Sequence, residues 1–217
     1  MIKISDRLER LAESATLAMA RKSREFISRG IDVISLSLGE PDFDTPDFIK
    51  EAAKKAIDDN FSHYTPVPGL VDLRQSIAQK FKRDNNLDFT TDQIVVSTGA
   101  KQSLANVCLS LLNKDDEVLL PCPYWVSYAE IIKIAEALPV KIESDISNDF
   151  KVTVEQLENA ITSKTRMLMF SSPCNPSGTV YSQSELEDIS KMLEKYPNIF
   201  VVSDEIYEHI NFTSSHF

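Results

Sequence analysis

The chain has 217 residues, 42% of them hydrophobic and 26% charged, with no low-complexity tract, so it carries ample material for a packed core. Its net charge of −10 argues against binding to nucleic acid or an anionic membrane, both of which need clustered Lys and Arg. Cys108, Cys122 and Cys174 are odd in number and far apart, and His63, His209 and His216 lack zinc spacing, which argues against a disulfide framework or a metal finger.

Apolar residues at helical spacing (Leu8, Leu11, Ala15, Ala18, Met19, Phe26) predict an N-terminal helix over residues 5–29. The same stretch is charged throughout and holds no apolar core of a secretion signal, and no later run approaches the ~18 apolar residues of a membrane span, so a cytoplasmic protein is expected. Val33-Ile34-Ser35-Leu36 reads as a short strand. Thr45 as N-cap, with Pro46 at the first helical position, predicts a helix to about Asp59. After the turn-rich Tyr64–Gly69 segment comes a helix near 70–84.

From there strand and helix signals alternate. Strands are expected at Ile94–Ser97, Glu117–Leu120, Val140–Glu143, Met167–Phe170 and Ile199–Val202, and helices near 101–112, 125–136, 153–161 and 182–196. Thr153 with Gln156, and Ser182 with Glu185, have the spacing of capping boxes for the last two helices. The strands are continuous apolar runs, as expected where both faces of a sheet are covered. The predicted class is α/β, a mostly parallel sheet flanked by helices.

In open parallel sheets ligands gather outside the carboxyl ends of the strands, so the loops after the apolar runs are the places for chemistry. Gly99-Ala100-Lys101-Gln102 leads from a strand into a helix, whose free N–H groups form an anion cup, although a glycine there also serves ordinary turn geometry. Pro121-Cys122-Pro123-Tyr124-Trp125 carries the only tryptophan behind two stiffening prolines; its ring is a ligand platform or part of the core. In Ser171–Gly178, prolines on either side of Asn175 restrict the backbone and point to a fixed amide, though Asn-Pro and Ser-Gly are also common in plain turns. Ser203-Asp204-Glu205-Ile206-Tyr207 puts a carboxylate at a strand mouth, where it needs a cation (ligand, metal or Arg) or acts as a helix cap; Tyr207 shares its side if a helical turn follows.

Taken together, Ser35–Phe43, Tyr64 with Gly69, Gly99-Ala100-Lys101-Gln102, Pro123-Tyr124-Trp125, Ser172-Pro173 through Asn175-Pro176 to Gly178, and Ser203–Tyr207 resemble the class I/II aminotransferases of fold type I, and look most like bacterial aspartate aminotransferases. The resemblance implies pyridoxal 5'-phosphate as cofactor, an amino acid and a 2-oxo acid as substrates, and a homodimer. It implies that Asp204 pairs with the protonated pyridine nitrogen and that Asn175 and Tyr207 hydrogen-bond the ring's phenolic oxygen. Trp125 is expected to stack on the ring, and Gly99, Ala100 and Lys101 to hold the phosphate. Tyr64 is expected to reach that phosphate from the neighbouring subunit, and Gly39 to meet the substrate α-carboxylate, with Trp125 and Asn175 also at the substrate.

It also implies that residues 1–45 contribute a helix and strand to a small domain and the site's edge, and that 46–217 form part of the large cofactor-binding domain. The family's Schiff-base lysine lies in a Ser-Lys segment followed by Gly-x-Arg, which is not found here; Ser163-Lys164 precedes a strand and lacks those followers. The chain is therefore expected to be an N-terminal fragment, inactive alone, of an enzyme transferring an amino group between L-aspartate, or a similar amino acid, and 2-oxoglutarate. Where some relatives carry Lys-Pro-Ser, this chain has Ala12-Glu13-Ser14, which argues against prephenate. Alternatives are an aromatic, alanine or kynurenine donor, or a non-catalytic effector-binding module of the same fold.

Overall fold

The structure is a computed structural model that describes residues 3–36, 38–39, 41–210 and 212. Residues Met1–Ala12 together with Thr98–Phe217 form one compact unit, and Glu13–Ser97 a second.

The first unit opens with the short helix α1 (Asp6–Glu9). In the second unit, α2 (Ala15–Ser28) follows. The single helix expected over 5–29 is thus two. Ser14 explains the break: its hydroxyl accepts the Leu17 N–H at 3.4 Å, so it starts a helix instead of continuing one. Helices α3 (Asp47–Asp58) and α4 (Val71–Asn85) match their patterns, except that Pro46 rather than Thr45 takes the cap position of α3. Val33–Leu36 and Ile94–Ser97 are not strands. Composition suits both, but a strand needs a neighbour's ladder, and none is formed there among the described residues. Val96 N–H instead donates to the Pro68 carbonyl at 3.0 Å.

Back in the first unit, α5 (Ala100–Leu111), β1 (Glu117–Pro121), α6 (Ser127–Ile134), β2 (Leu138–Ile142), α7 (Val154–Ala160), β3 (Thr165–Ser171), α8 (Gln183–Leu193) and β4 (Phe200–Asp204) follow in turn. Both capping boxes form: Gln156 and Glu185 side chains accept the Thr153 and Ser182 N–H groups at 2.9 and 2.6 Å. All strand pairs are parallel, in the order β2-β1-β3-β4. β2 starts two residues earlier than expected and contains Pro139, which an edge strand tolerates because one side of it makes no ladder.

Strand alternation sorts the core into two layers. Val118, Leu120, Met167 and Met169 pack with Leu104 and Cys108 of α5 and Tyr128, Ile131 and Ile132 of α6. Leu119 and Leu168, one residue out of phase, pack with Leu157 of α7 and Ile189 and Met192 of α8. Leu119 and Leu157 are wholly buried, so either truncated to alanine costs about 2–5 kcal/mol. From β1 the chain turns toward β2, and from β3 toward β4. The order reverses between β1 and β3, which makes their carboxyl ends the switch point where such sheets bind ligands.

Candidate active site

Three strand ends in the first unit carry most of the predicted residues. The inward alternation of β4 runs through Val202, which packs on the α5–α6 side of the sheet, and so brings Asp204 to that side at the strand's end. There Asp204 Oδ2 accepts the Tyr128 hydroxyl of α6 at 2.6 Å, and Oδ1 accepts the Ile206 N–H at 3.2 Å. The second contact is a local Asx-type turn, so part of the capping reading holds. The sequence called for a cation here. Among the described residues the acid instead meets two neutral donors, which fix its orientation and leave its charge uncompensated. Ionised, a carboxylate has about four lone-pair positions, so roughly two remain for a ligand.

Trp125 lies just ahead of α6, and its carbonyl accepts the Tyr128 N–H at 2.9 Å. The indole is partly buried against the α5–α6 core and meets the Tyr128 ring edge to face, with centroids 5.5 Å apart and planes at 89°. Lys101, in the first turn of α5, holds its ammonium 4.8 Å from the Trp125 ring centre. The two readings of Trp125 are therefore compatible: one side belongs to the core and the ring still offers a face to a cation. Gly99 caps α5 with φ +85° and ψ 160°, a backbone open essentially to glycine alone. Of the first-turn N–H groups that follow, Gln102 donates to the Gly99 carbonyl at 3.1 Å, and by helix geometry those of Ala100 and Lys101 have no partner within the helix.

The loop after β3 is closed on itself. Gly178 N–H donates to the Cys174 carbonyl at 2.8 Å and Cys174 N–H to the Thr179 carbonyl at 2.9 Å. Its Asn175 side-chain amide donates to the Tyr207 hydroxyl at 2.9 Å, joining the loops after β3 and β4. A turn follows β4 and carries Tyr207. Asp204 and Ser171 are register partners at the ends of adjacent strands, so the Asp204–Tyr128–Trp125 set and the Asn175–Tyr207 pair share one sheet edge. Lys164 sits at the opposite end of β3, roughly 20 Å from Asp204 at the usual rise per residue, which removes it as a partner.

Tyr64 and Gly39 lie in the second unit, where both are exposed. The Tyr64–Gly69 loop is tied down behind Tyr64. Buried Arg74 of α4 donates to the Gly69 carbonyl at 3.2 Å and to the Thr91 carbonyl at 2.8 Å. Of the family's Ser35–Phe43 segment, Ser37 and Glu40 lie outside the described residues.

Two residues escaped the sequence reading. Tyr128 looked like one more apolar position of a helix, although its place three residues after Trp125 puts it on the same face one turn on. Ser171 continues the inward alternation of Met167 and Met169, and is 5% exposed. It lies close enough to Tyr128 to act on its titration, yet its hydroxyl makes no hydrogen bond of acceptable geometry. Burial, and next the Asp204 carboxylate, push the Tyr128 phenol far above its ordinary value, so it stays a neutral donor. Among the described residues no cluster of His, Cys, Asp and Glu could hold a metal, and no helix is long and apolar enough to cross a membrane.

The chain resembles known proteins over nearly its whole length. Residues 31–217 match the family Aminotransferase class I and II. A Rickettsia felis protein named a probable aspartate/prephenate aminotransferase is 50% identical over 209 residues, covering 96% of this chain and 51% of that protein. The crystal structure of the aspartate aminotransferase of Rhizobium meliloti superposes with a TM-score of 0.96 at 39% identity, over all of this chain and 54% of that one. Thermus thermophilus aspartate aminotransferase, solved with maleate, gives 0.95 at 38%, over all of this chain and 56% of that one. The chain spans about half the length of these relatives. With the motifs, the parallel sheet and the family match in agreement, the chain belongs to the class I and II aminotransferases, fold type I.

Proposed function

We propose that this chain is the cofactor-holding part of an aminotransferase that moves an amino group between L-aspartate, or a similar dicarboxylic amino acid, and 2-oxoglutarate, with pyridoxal 5'-phosphate as cofactor. The observation that carries the reading is Asp204: a carboxylate at a strand's carboxyl end, oriented by two neutral donors and, among the described residues, lacking a cation of its own. The group fits the residues present. An acid suits a protonated pyridine nitrogen, a joined amide and phenol suit an oxygen on the ring, an indole suits the ring's face, and a glycine-capped helix start suits a phosphate.

When bound, the cofactor supplies an electron sink for the bond broken at the substrate Cα. Asp204 keeps the ring nitrogen protonated by holding a negative charge beside it. Asn175 and Tyr207 position a donor at the phenolic oxygen, and Trp125 covers one face and excludes water from it. The first N–H groups of α5, with Lys101, hold the phosphate, and Tyr64 of a neighbouring subunit adds a hydroxyl, which makes the working protein a homodimer. The Gly39 backbone orients the substrate carboxylate. The covalent anchor is a lysine outside these residues. Residues 1–45 belong with a small domain and 46–217 with the large one, in a cytoplasmic enzyme.

Aspartate is favoured because the relatives are named for it and one of them binds maleate, also a dicarboxylate. Ala12-Glu13-Ser14, where some relatives carry Lys-Pro-Ser, stands against prephenate, whereas the Rickettsia felis relative is named for both substrates, so prephenate belongs in the screen. The test is to load the full polypeptide with pyridoxal phosphate and screen amino donors against 2-oxoglutarate. A visible absorbance band and preferred glutamate formation from aspartate support the proposal. No band, or a tenfold preference for alanine, kynurenine or an aromatic donor, overturns it.

A further inference from the structure

We infer that Tyr128 is a positioning residue for the cofactor: its hydroxyl aims the Asp204 carboxylate at the ring nitrogen while its ring braces Trp125, so that one side chain sets both the acid and the platform. This rests on the function proposed above, and no family motif used in reaching that function contains Tyr128.

Geometry supplies the case. Tyr128 is 1% exposed and packed in the α5–α6 core, so its ring cannot swing. Its hydroxyl reaches Asp204 across 76 positions of sequence at 2.6 Å, the length of a charge-assisted hydrogen bond. Its ring meets the Trp125 ring edge to face, with the planes at 89°. Among the described residues the other hydroxyl on the same wall, Ser171, makes no hydrogen bond of acceptable geometry, and the second donor to Asp204 is a backbone N–H of the turn after β4. Tyr128 is therefore the side-chain donor from the rigid core. By taking one lone pair it keeps the carboxylate turned to the ring nitrogen, so that its negative charge stands beside the proton there. Without it, the carboxylate is free to turn away and the ring carries less positive charge.

The experiment uses the full polypeptide loaded with pyridoxal phosphate, and reads the pH midpoint of the bound cofactor's visible absorbance alongside kcat and KM. Tyr128→Phe keeps the ring and its contact with Trp125 and removes only the hydroxyl. A less positive ring holds its remaining proton more tightly, so the midpoint moves up by about half a unit or more, and kcat falls while KM holds. Replacing Tyr128 with 3,5-difluorotyrosine, of nearly the same shape and a stronger donor, moves the midpoint the opposite way, which a purely structural role would not do. In an Asp204→Ala background Tyr128→Phe adds no further shift, because the route runs through the acid. A midpoint unmoved by both Tyr128 variants, or a shift of the same size without Asp204, overturns the inference. A wild-type protein with no visible band overturns the proposed function instead.

Discussion

Gly99→Ala isolates the contribution of the anion cup. At φ +85° and ψ 160° an alanine is strained, yet an added Cβ would meet nothing within 4 Å, so the penalty is torsional alone. Such backbones cost about 1–3 kcal/mol, which corresponds to roughly a 5- to 150-fold loss in the population of the native loop. If the loop keeps its shape, the unfolding free energy drops by that amount. If it relaxes, stability recovers and the first turn of α5 is re-aimed away from the phosphate. The two losses therefore trade against each other and together account for the strain. Urea unfolding of the cofactor-free full polypeptide reads the first. The ratio of affinities for pyridoxal phosphate and pyridoxal reads the second, since only the former engages the cup. A variant with unchanged stability and an unchanged affinity ratio would refute the reasoning.

Gly69→Ala is the harsher neighbour, because φ is +100° and the new Cβ would stand 2.8 and 2.9 Å from Val96 Cβ and Cγ2. It should lower the unfolding midpoint more than Gly99→Ala does, and adding Val96→Gly should remove the clash but not the torsional part; full recovery would mean the backbone there is not strained. At alkaline pH, Tyr128 together with Cys108 and Cys122 should erode the fold. Burial raises the Cys108 and Cys122 thiols from 9.0 to about 11, and the phenol from 10.0 to higher still. A raised folded value means the stabilisation is complete below the unfolded value and is lost as pH climbs through the folded one. Thermal midpoints should fall from about pH 9 upward, and Tyr128→Phe should flatten the portion above pH 10; a midpoint flat to pH 11 in the parent protein would contradict the burial described.

What the sequence revealed divides along local and non-local lines. The boxes at Thr153–Gln156 and Ser182–Glu185 are contained in four residues each, and both formed as read. The strands at 117–121 and 165–171 were visible because both faces are covered, which demands an unbroken apolar run, and 200–204 shows the same run although Phe200 and Val201 are exposed. Ile94–Ser97 has the same composition and makes no ladder, because a strand is defined by a neighbour that its own residues do not encode. The helix expected over 5–29 failed for a local reason that periodicity ignores, a serine placed to cap. At the proposed site, Asn175 and Tyr207 were singled out from their loops, and the hydrogen bond that joins them was not foreseen. Asp204 was singled out too, to face a cation from a ligand, a metal or an Arg; the hydrogen bond it accepts from a phenol 76 positions earlier was not foreseen. Only the alternation that puts Val202, Asp204 and α6 on one face of the sheet brings Tyr128 there, and that face is known once the strand order is.

The central claim is that Asp204 keeps the cofactor's ring nitrogen protonated. It is tested most directly by the 15N chemical shift of pyridoxal phosphate labelled at that nitrogen and bound to the full polypeptide, with and without Asp204→Ala. The account predicts a protonated nitrogen in the parent protein and an unprotonated one in the variant at the same pH. An unprotonated nitrogen in the parent, or the same shift in both proteins, would contradict it.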